Sequence, residues 1–225
     1  MNYYSMNDNT GKPIVLKVLE HIGHVRNGIY VEAGAHDGID QSNTKYLNER
    51  LGWKGILVEP SRSAFDKLIV NRSNDICVHG CLVSSDYAEQ VVWGDFDGGL
   101  MSSVEGKRLD SSRMNLKSAP AITLDKLFSD NGITRVDFIS LDTEGYELEI
   151  LKGIDFTRVI PRYFLIEIYS RDYEAIDTYM DSKGYVMIES ISNYNKRDNP
   201  NWDGTHNDYL YGLKSASTTN KNKIL

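Results

Sequence analysis

The apolar positions of this chain follow two alternating rhythms, short continuous runs and stretches spaced at three and four. Runs at 29–33, 55–58, 76–83, 136–141 and 163–168 are short and bounded by turn residues, which predicts largely buried strands. Between them lie helical repeats. Ile14, Val18 and Ile22 recur at four behind Pro13, which suits a first helical turn. Tyr46, Leu47 and Leu51 follow the capping residues Ser42 and Asn43, and Phe65, Leu68 and Ile69 follow Ser61. Thr123 caps a predicted helix over 124–129, and another is predicted near 144–152. Tyr173, Ile176 and Met180 mark a last helix that Gly184 can terminate. Two final runs, 185–191 and 209–213, have no helix between them and predict an antiparallel pair at a sheet edge.

Strands alternating with helices define an α/β chain, with a mostly parallel sheet and helices on both faces. Right-handed crossovers then place ligands at the carboxyl ends of the strands. The length of 225 residues suits one domain, expected over 1–214. The segment 93–119 is rich in glycine and serine and has little periodicity, so it reads as a loop or lid over the site. Residues 215–225 are polar and read as a disordered tail.

Charge and composition narrow the function. The formal net charge is -7, and no Lys/Arg cluster offers a nucleic-acid backbone a basic face, so no nucleic-acid partner is expected. No apolar run approaches the roughly 20 residues of a membrane span. Residues 1–12 are polar and contain no secretory h-region, so a cytoplasmic protein is expected. Cys77 and Cys81 have no His/Cys pair elsewhere to complete a zinc site and read as reduced structural thiols. Cys81 is also a candidate neighbour of a ligand pocket.

Three segments carry chemistry. Tyr30-Val31-Glu32-Ala33-Gly34-Ala35-His36-Asp37-Gly38 ends the first strand with a carboxylate and a glycine turn. Glycine at 34 permits close backbone approach. The spacing is not G-x-G-x-x-G, so a pyrophosphate seat is not predicted. A carboxylate there suits a cationic or zwitterionic ligand, such as the ammonium and sulfonium centres of S-adenosylmethionine. The second strand ends in Leu57-Val58-Glu59-Pro60, where a carboxylate can accept both hydroxyls of a ribose. The fourth ends in Leu141-Asp142-Thr143-Glu144-Gly145, with two carboxylates at the sheet edge. Glu144 also suits a helix N-terminus. His206 is a candidate base, and Glu167 is embedded in an apolar strand, where its burial has to be compensated.

Together these segments resemble the FkbM family of methyltransferases. The resemblance rests on 28–38, Ser42-Asn43-Thr44, 52–60, Asn71-Arg72, 123–127 and 136–153. It implies a Rossmann-like class I methyltransferase fold with a seven-stranded, mostly parallel sheet whose last strand is antiparallel. It also implies S-adenosylmethionine as methyl donor and a hydroxyl of a sugar, glycan or other small natural product as acceptor. The expected donor contacts are Glu32, Gly34, Ala35, His36, Asp37, Gly38, Asn43, Thr44, Glu59, Pro60, Cys81, Leu82 and Asp142. Asp142, Glu144 and His206 are the expected catalytic residues. The family often has lysine where Ser140 stands. No spacing demands a metal, so none is assigned, although Asp142, Glu144 and Glu167 could supply oxygen ligands.

Other functions stay open at this stage. A nucleic-acid or protein methyltransferase would share the fold, although the chain lacks the Asn/Asp-Pro-Pro-aromatic motif of enzymes that methylate amino groups of bases. A nicotinamide oxidoreductase is disfavoured by the glycine spacing. A non-catalytic cofactor-binding protein could keep the same fold.

Overall fold

The computed structural model describes residues 2–96, 104, 116–200 and 202–214. Most of the expected lid and the whole expected tail lie outside the described residues. Helix α1 (Ile14–Ile22) precedes β1 (Ile29–Ala33), α2 (Lys45–Leu51), β2 (Lys54–Glu59), α3 (Arg62–Asn71) and β3 (Ile76–His79). Short strands β4 (Cys81–Leu82), β5 (Val91–Gly94) and β6 (Lys117–Ile122) follow. The chain continues through α4 (Leu124–Asp130), β7 (Phe138–Leu141), α5 (Glu147–Leu151), β8 (Tyr163–Tyr169), α6 (Tyr173–Ser182), β9 (Tyr185–Ser190) and β10 (His206–Leu213).

Seven strands form one sheet in the order β3-β2-β1-β7-β8-β10-β9. Neighbours from β3 through β8 pair in parallel, and β10 runs antiparallel to both β8 and β9. The last strand is therefore inserted beside β8, and β9 takes the edge. Alternation along each strand divides the core in two. Val31, Ile56, Ile139 and Ile166 pack with Leu127, Leu151 and Met180 of α4, α5 and α6. Tyr30, Leu57, Phe138 and Leu165 pack on the other face with Val18, Leu47 and Leu68 of α1, α2 and α3. Each such side chain contributes roughly 1.5–3 kcal/mol on leaving water, so both faces are fastened.

Ser61 and Thr123 cap as expected, accepting from the N–H groups of Ala64 and Lys126. The run 76–83 departs from expectation: it breaks at Gly80 into β3 and β4, and β4 leaves the main sheet to pair with β6. A Cβ at Gly80 would lie 3.1 Å from the Pro120 carbonyl, which shows how closely the two segments pass. The ends of 93–119 are ordered too, since Trp93 faces Ser118 and Gly94 faces Lys117 across the β5–β6 pair. Polar, glycine-rich sequence hid that pairing because its periodicity is weak and the partner is far along the chain.

Reading outward from β1, the sheet runs to β2 and β3 on one side and to β7 and β8 on the other. Connections therefore diverge between β1 and β7, and a crevice opens at the carboxyl ends of these strands. No helix among the described residues is long and apolar enough to cross a membrane.

Candidate active site

At that crevice lies a cleft enclosing about 880 Å³, including open solvent at its mouth. Its walls are the end of β1 (Glu32 to His36), Asn43 of the following loop, Glu59 and Pro60 after β2, Cys81 and Leu82 of β4, and the turn after β7. Phe96 and Val104 line it from the glycine-rich segment.

The side built by β1 and β2 is tightly hydrogen-bonded. Glu32 is 4% exposed. Its carboxylate accepts from Ser42 Oγ (2.9 Å), Asn43 N (2.7 Å) and Thr44 Oγ1 (2.6 Å). Arg72 Nη1 lies 3.6 Å away, with its side chain fully buried. Arg72 also donates to the Gly38 carbonyl, Tyr30 Oη and Asp75 Oδ2. This guanidinium ties the ends of β1, α2 and α3 into one unit. Glu59 Oε2 accepts from His36 N and Oε1 from Ser61 N, each at 2.8 Å. Burial raises the Glu59 carboxyl above its ordinary value, with the two backbone N–H groups opposing. Each of its oxygens takes one backbone donor and, as a carboxylate oxygen, has a second acceptor lobe.

Gly34 adopts φ +78, and a Cβ there would lie 1.8 Å from the Asp142 carbonyl oxygen. The glycine is thus required by the neighbouring strand's backbone, whatever occupies the cleft. His36 and Gln41 also take left-handed backbone, at φ 47 and 59. Both line the cleft.

Beyond β7 the turn 142–146 carries Asp142, Thr143, Glu144 and Tyr146 into the cleft wall. Glu144 has φ 61 and Gly145 φ 96. The expected helix near 144–152 therefore starts only at Glu147, because two left-handed residues cannot continue a helix. Tyr169 Oη donates to Glu144 Oε2 at 2.5 Å. Carboxylate oxygens of Asp142, Glu144 and Glu167 lie within 4.8 Å of one another, a spread that a hard cation held by oxygens could bridge. His206 Nε2 lies 3.4 Å from Glu167 Oε1. Asp208 stands opposite Glu167 across the β8–β10 pair. Its burial pushes the carboxyl up to about 6.

The expected residues divide accordingly. Glu32, Gly34, Ala35, His36, Asn43, Glu59, Pro60, Cys81, Leu82, Asp142 and Glu144 line the cleft. Asp37, Gly38 and Thr44 stand behind its wall. Asp37 closes its own loop by accepting from Ile39 N and Asp40 N, and a Cβ at Gly38 would collide with Arg72 and Leu68. Thr44 bonds Glu32 and Arg72. His206 does not line the cleft: it lies against Glu167, which is itself outside the lining and meets Asp142 and Glu144. Cys81 is buried, which together with Glu59 pushes its thiol up to about 12, so it is an unreactive wall rather than a nucleophile.

Polar residues outside the expected set also build this region, Ser140 and Glu147 among them. Ser140 faces the cleft and accepts from Asn43 Nδ2 at 3.1 Å. Glu147 is 1% exposed and holds the turn that carries Asp142 and Glu144. Its signal was available, since it shares a helical face with Ile150 and Leu151.

A seven-stranded sheet of this order with a cleft at its divergence point is the class I methyltransferase fold, and solved structures agree on it. Fibrillarin from Aeropyrum pernix, with natively bound S-adenosyl-L-methionine, is similar at a TM-score of 0.53 and 11% identity, over 88% of this chain and 72% of that one. TrmK from M. capricolum, in complex with S-adenosyl-homocysteine, is similar at 0.51 and 10%, over 88% and 68%. The FkbM methyltransferase domain model matches residues 32–187, more than half of the chain. The chain belongs to the FkbM methyltransferase family, and S-adenosylmethionine is its methyl donor. No curated protein matches it in sequence.

Proposed function

We propose that this methyltransferase acts on a hydroxyl of a sugar, glycan or other small natural product, in the cytoplasm. The observation that carries the reading is the convergence of Asp142, Glu144 and Glu167 at the end of the cleft, with Tyr169 bonded to Glu144 and His206 behind Glu167. Carboxylates and phenols there suit a neutral, hydroxyl-bearing acceptor and repel a phosphate backbone. The net charge of -7 points the same way. The free thiols Cys77 and Cys81 suit a reducing compartment.

Glu59 binds the donor's ribose, its two oxygens each offering a second acceptor lobe to a hydroxyl. Ala35, His36 and Asn43 border the donor's methionine end, and Cys81 and Leu82 form the apolar wall beside its base. Glu32 lines the cleft without bonding the donor directly, because its acceptor positions are occupied by Ser42, Asn43 and Thr44; its charge favours the donor's cationic centres, and its bonds order the loop beside them. Bound S-adenosylmethionine supplies an electrophilic methyl group. Asp142 holds the donor's ammonium or the acceptor. Glu144 receives the acceptor's hydroxyl proton, with His206 as the alternative base through Glu167.

The test is transfer of radiolabelled methyl from S-adenosylmethionine to three panels: sugars and glycosylated natural products, unmodified RNA, and unmodified protein. Labelled methyl ethers in the first panel support the reading. Transfer only to RNA or protein overturns it, and calorimetric donor binding with no transfer to any panel makes the protein a cofactor-binding one.

A further inference from the structure

We propose that Glu147 is a positioning residue: its carboxylate holds the 142–146 turn in the shape that presents Asp142 and Glu144 to the reacting centre. The inference rests on the reading of those two carboxylates given above. Glu147 opens α5 and is almost wholly enclosed by protein. A single oxygen, Oε1, accepts from Thr143 N at 2.9 Å, Thr143 Oγ1 at 3.0 Å and Gly145 N at 3.2 Å. Those three donors flank Glu144, whose left-handed φ of 61 is strained for a residue with a side chain. Such backbone persists only where its surroundings over-determine it.

Two restraints do so here. From one side the Asp142 carbonyl abuts the Gly34 backbone so closely that no Cβ fits between them. From the other, Glu147 gathers the amides on both sides of Glu144. Without that acceptor, the partly buried Thr143 N and Gly145 N lose the carboxylate that holds them, and a more relaxed turn that swings Glu144 away becomes preferable. Burial pushes the Glu147 carboxyl up to about 7, and Oε1 can accept in either protonation state. A glutamine amide oxygen can replace that atom, whereas methionine matches the length and provides no such acceptor.

The test needs no acceptor substrate. S-adenosylmethionine and S-adenosylhomocysteine differ by a methyl group and the positive charge at sulfur, so their affinity ratio senses carboxylates beside the reacting centre. Both are titrated calorimetrically into the wild type, E147Q, E147M, T143V, D142N and E144Q, with thermal unfolding as a folding control. E147M should lower the preference for S-adenosylmethionine by roughly tenfold or more, the effect of moving an opposite charge out of a 4–6 Å range. Its affinity for S-adenosylhomocysteine should be unchanged. E147Q should keep the wild-type ratio, and T143V should lower it less than E147M. An unchanged ratio in folded E147M overturns the proposal, as does an equal loss in E147Q, which would show Glu147 acting by charge. If E147M does not fold, E147Q and T143V decide: a wild-type ratio in the first with a fall in the second supports the proposal, and any other pair overturns it. If D142N and E144Q both leave the ratio unchanged, the reading of those carboxylates fails and the proposal falls with it. If they lower it and E147M does not, the proposal alone fails.

Discussion

The two ends of the cleft handle buried charge in opposite ways. At the β1–β2 end, Glu32 and Glu59 are saturated or half-saturated by hydroxyls and backbone N–H groups, and Arg72 is anchored behind them. At the β7–β8 end, carboxylates face one another: Asp142, Glu144 and Glu167 converge, with Asp208 beside them. A carboxylate surrounded by fixed donors is a structural part whose charge is already committed. Carboxylates set against each other raise the free energy of their ionised forms and favour a proton, a cation or a hydroxyl between them. The first arrangement suits a donor held in one pose, the second an exchange of protons.

The largest effect should come from the β7–β8 end. E144Q should lower turnover by about 10²–10⁴-fold, the usual contribution of a positioned base, with affinity for S-adenosylhomocysteine nearly unchanged. H206A should lose less. Initial rates with the acceptor found by radiolabel transfer check both, and normal turnover in E144Q would place the base elsewhere.

Next comes the framework. R72M removes a buried cation and leaves Asp75 and Glu32 without it. Breaking such a pair costs about 3–5 kcal/mol, so denaturant unfolding should show a loss of that order. A loss confined to donor affinity, with stability intact, would contradict the framework role.

E59A should weaken donor binding by about 1.5–3 kcal/mol, the range for hydrogen bonds to a charged group. Calorimetry against S-adenosylhomocysteine measures it, and unchanged affinity removes the ribose assignment.

The last expected effect is a pH dependence of stability. Burial raises Glu147 to about 7 and Asp208 to about 6, above their ordinary values of 4.5 and 3.8. In each case the folded state resists ionisation. The stability these groups contribute is complete below the unfolded values and is lost as pH rises through about 6 to 7. Tm should therefore be higher near pH 5 than near pH 8, and D208N should shrink that difference. A Tm difference unchanged in D208N would exclude its contribution.

Much of this protein was determined by sequence alone. Runs such as Tyr30 to Ala33 and Phe164 to Ile168 have the length and turn boundaries of buried strands, and the helical spacing of Ile14, Val18 and Ile22 gives one apolar face. Glu32, Glu59 and Asp142 end strands, so the common polarity of the parallel strands brought them to one crevice before any contact was known. Periodicity is local, however, and could not say what each carboxylate would meet there. Only the tertiary structure decided that Glu32 would be enclosed by Ser42, Asn43 and Thr44, that Gly34 answers to the Asp142 carbonyl, and that Gly38 makes room for Arg72. It also decided that β10 would insert beside β8, carrying His206 and Asp208 to Glu167 from some 40 residues away along the chain. Those contacts join segments distant in sequence, and their geometry depends on strand order and register, which chain composition leaves undetermined.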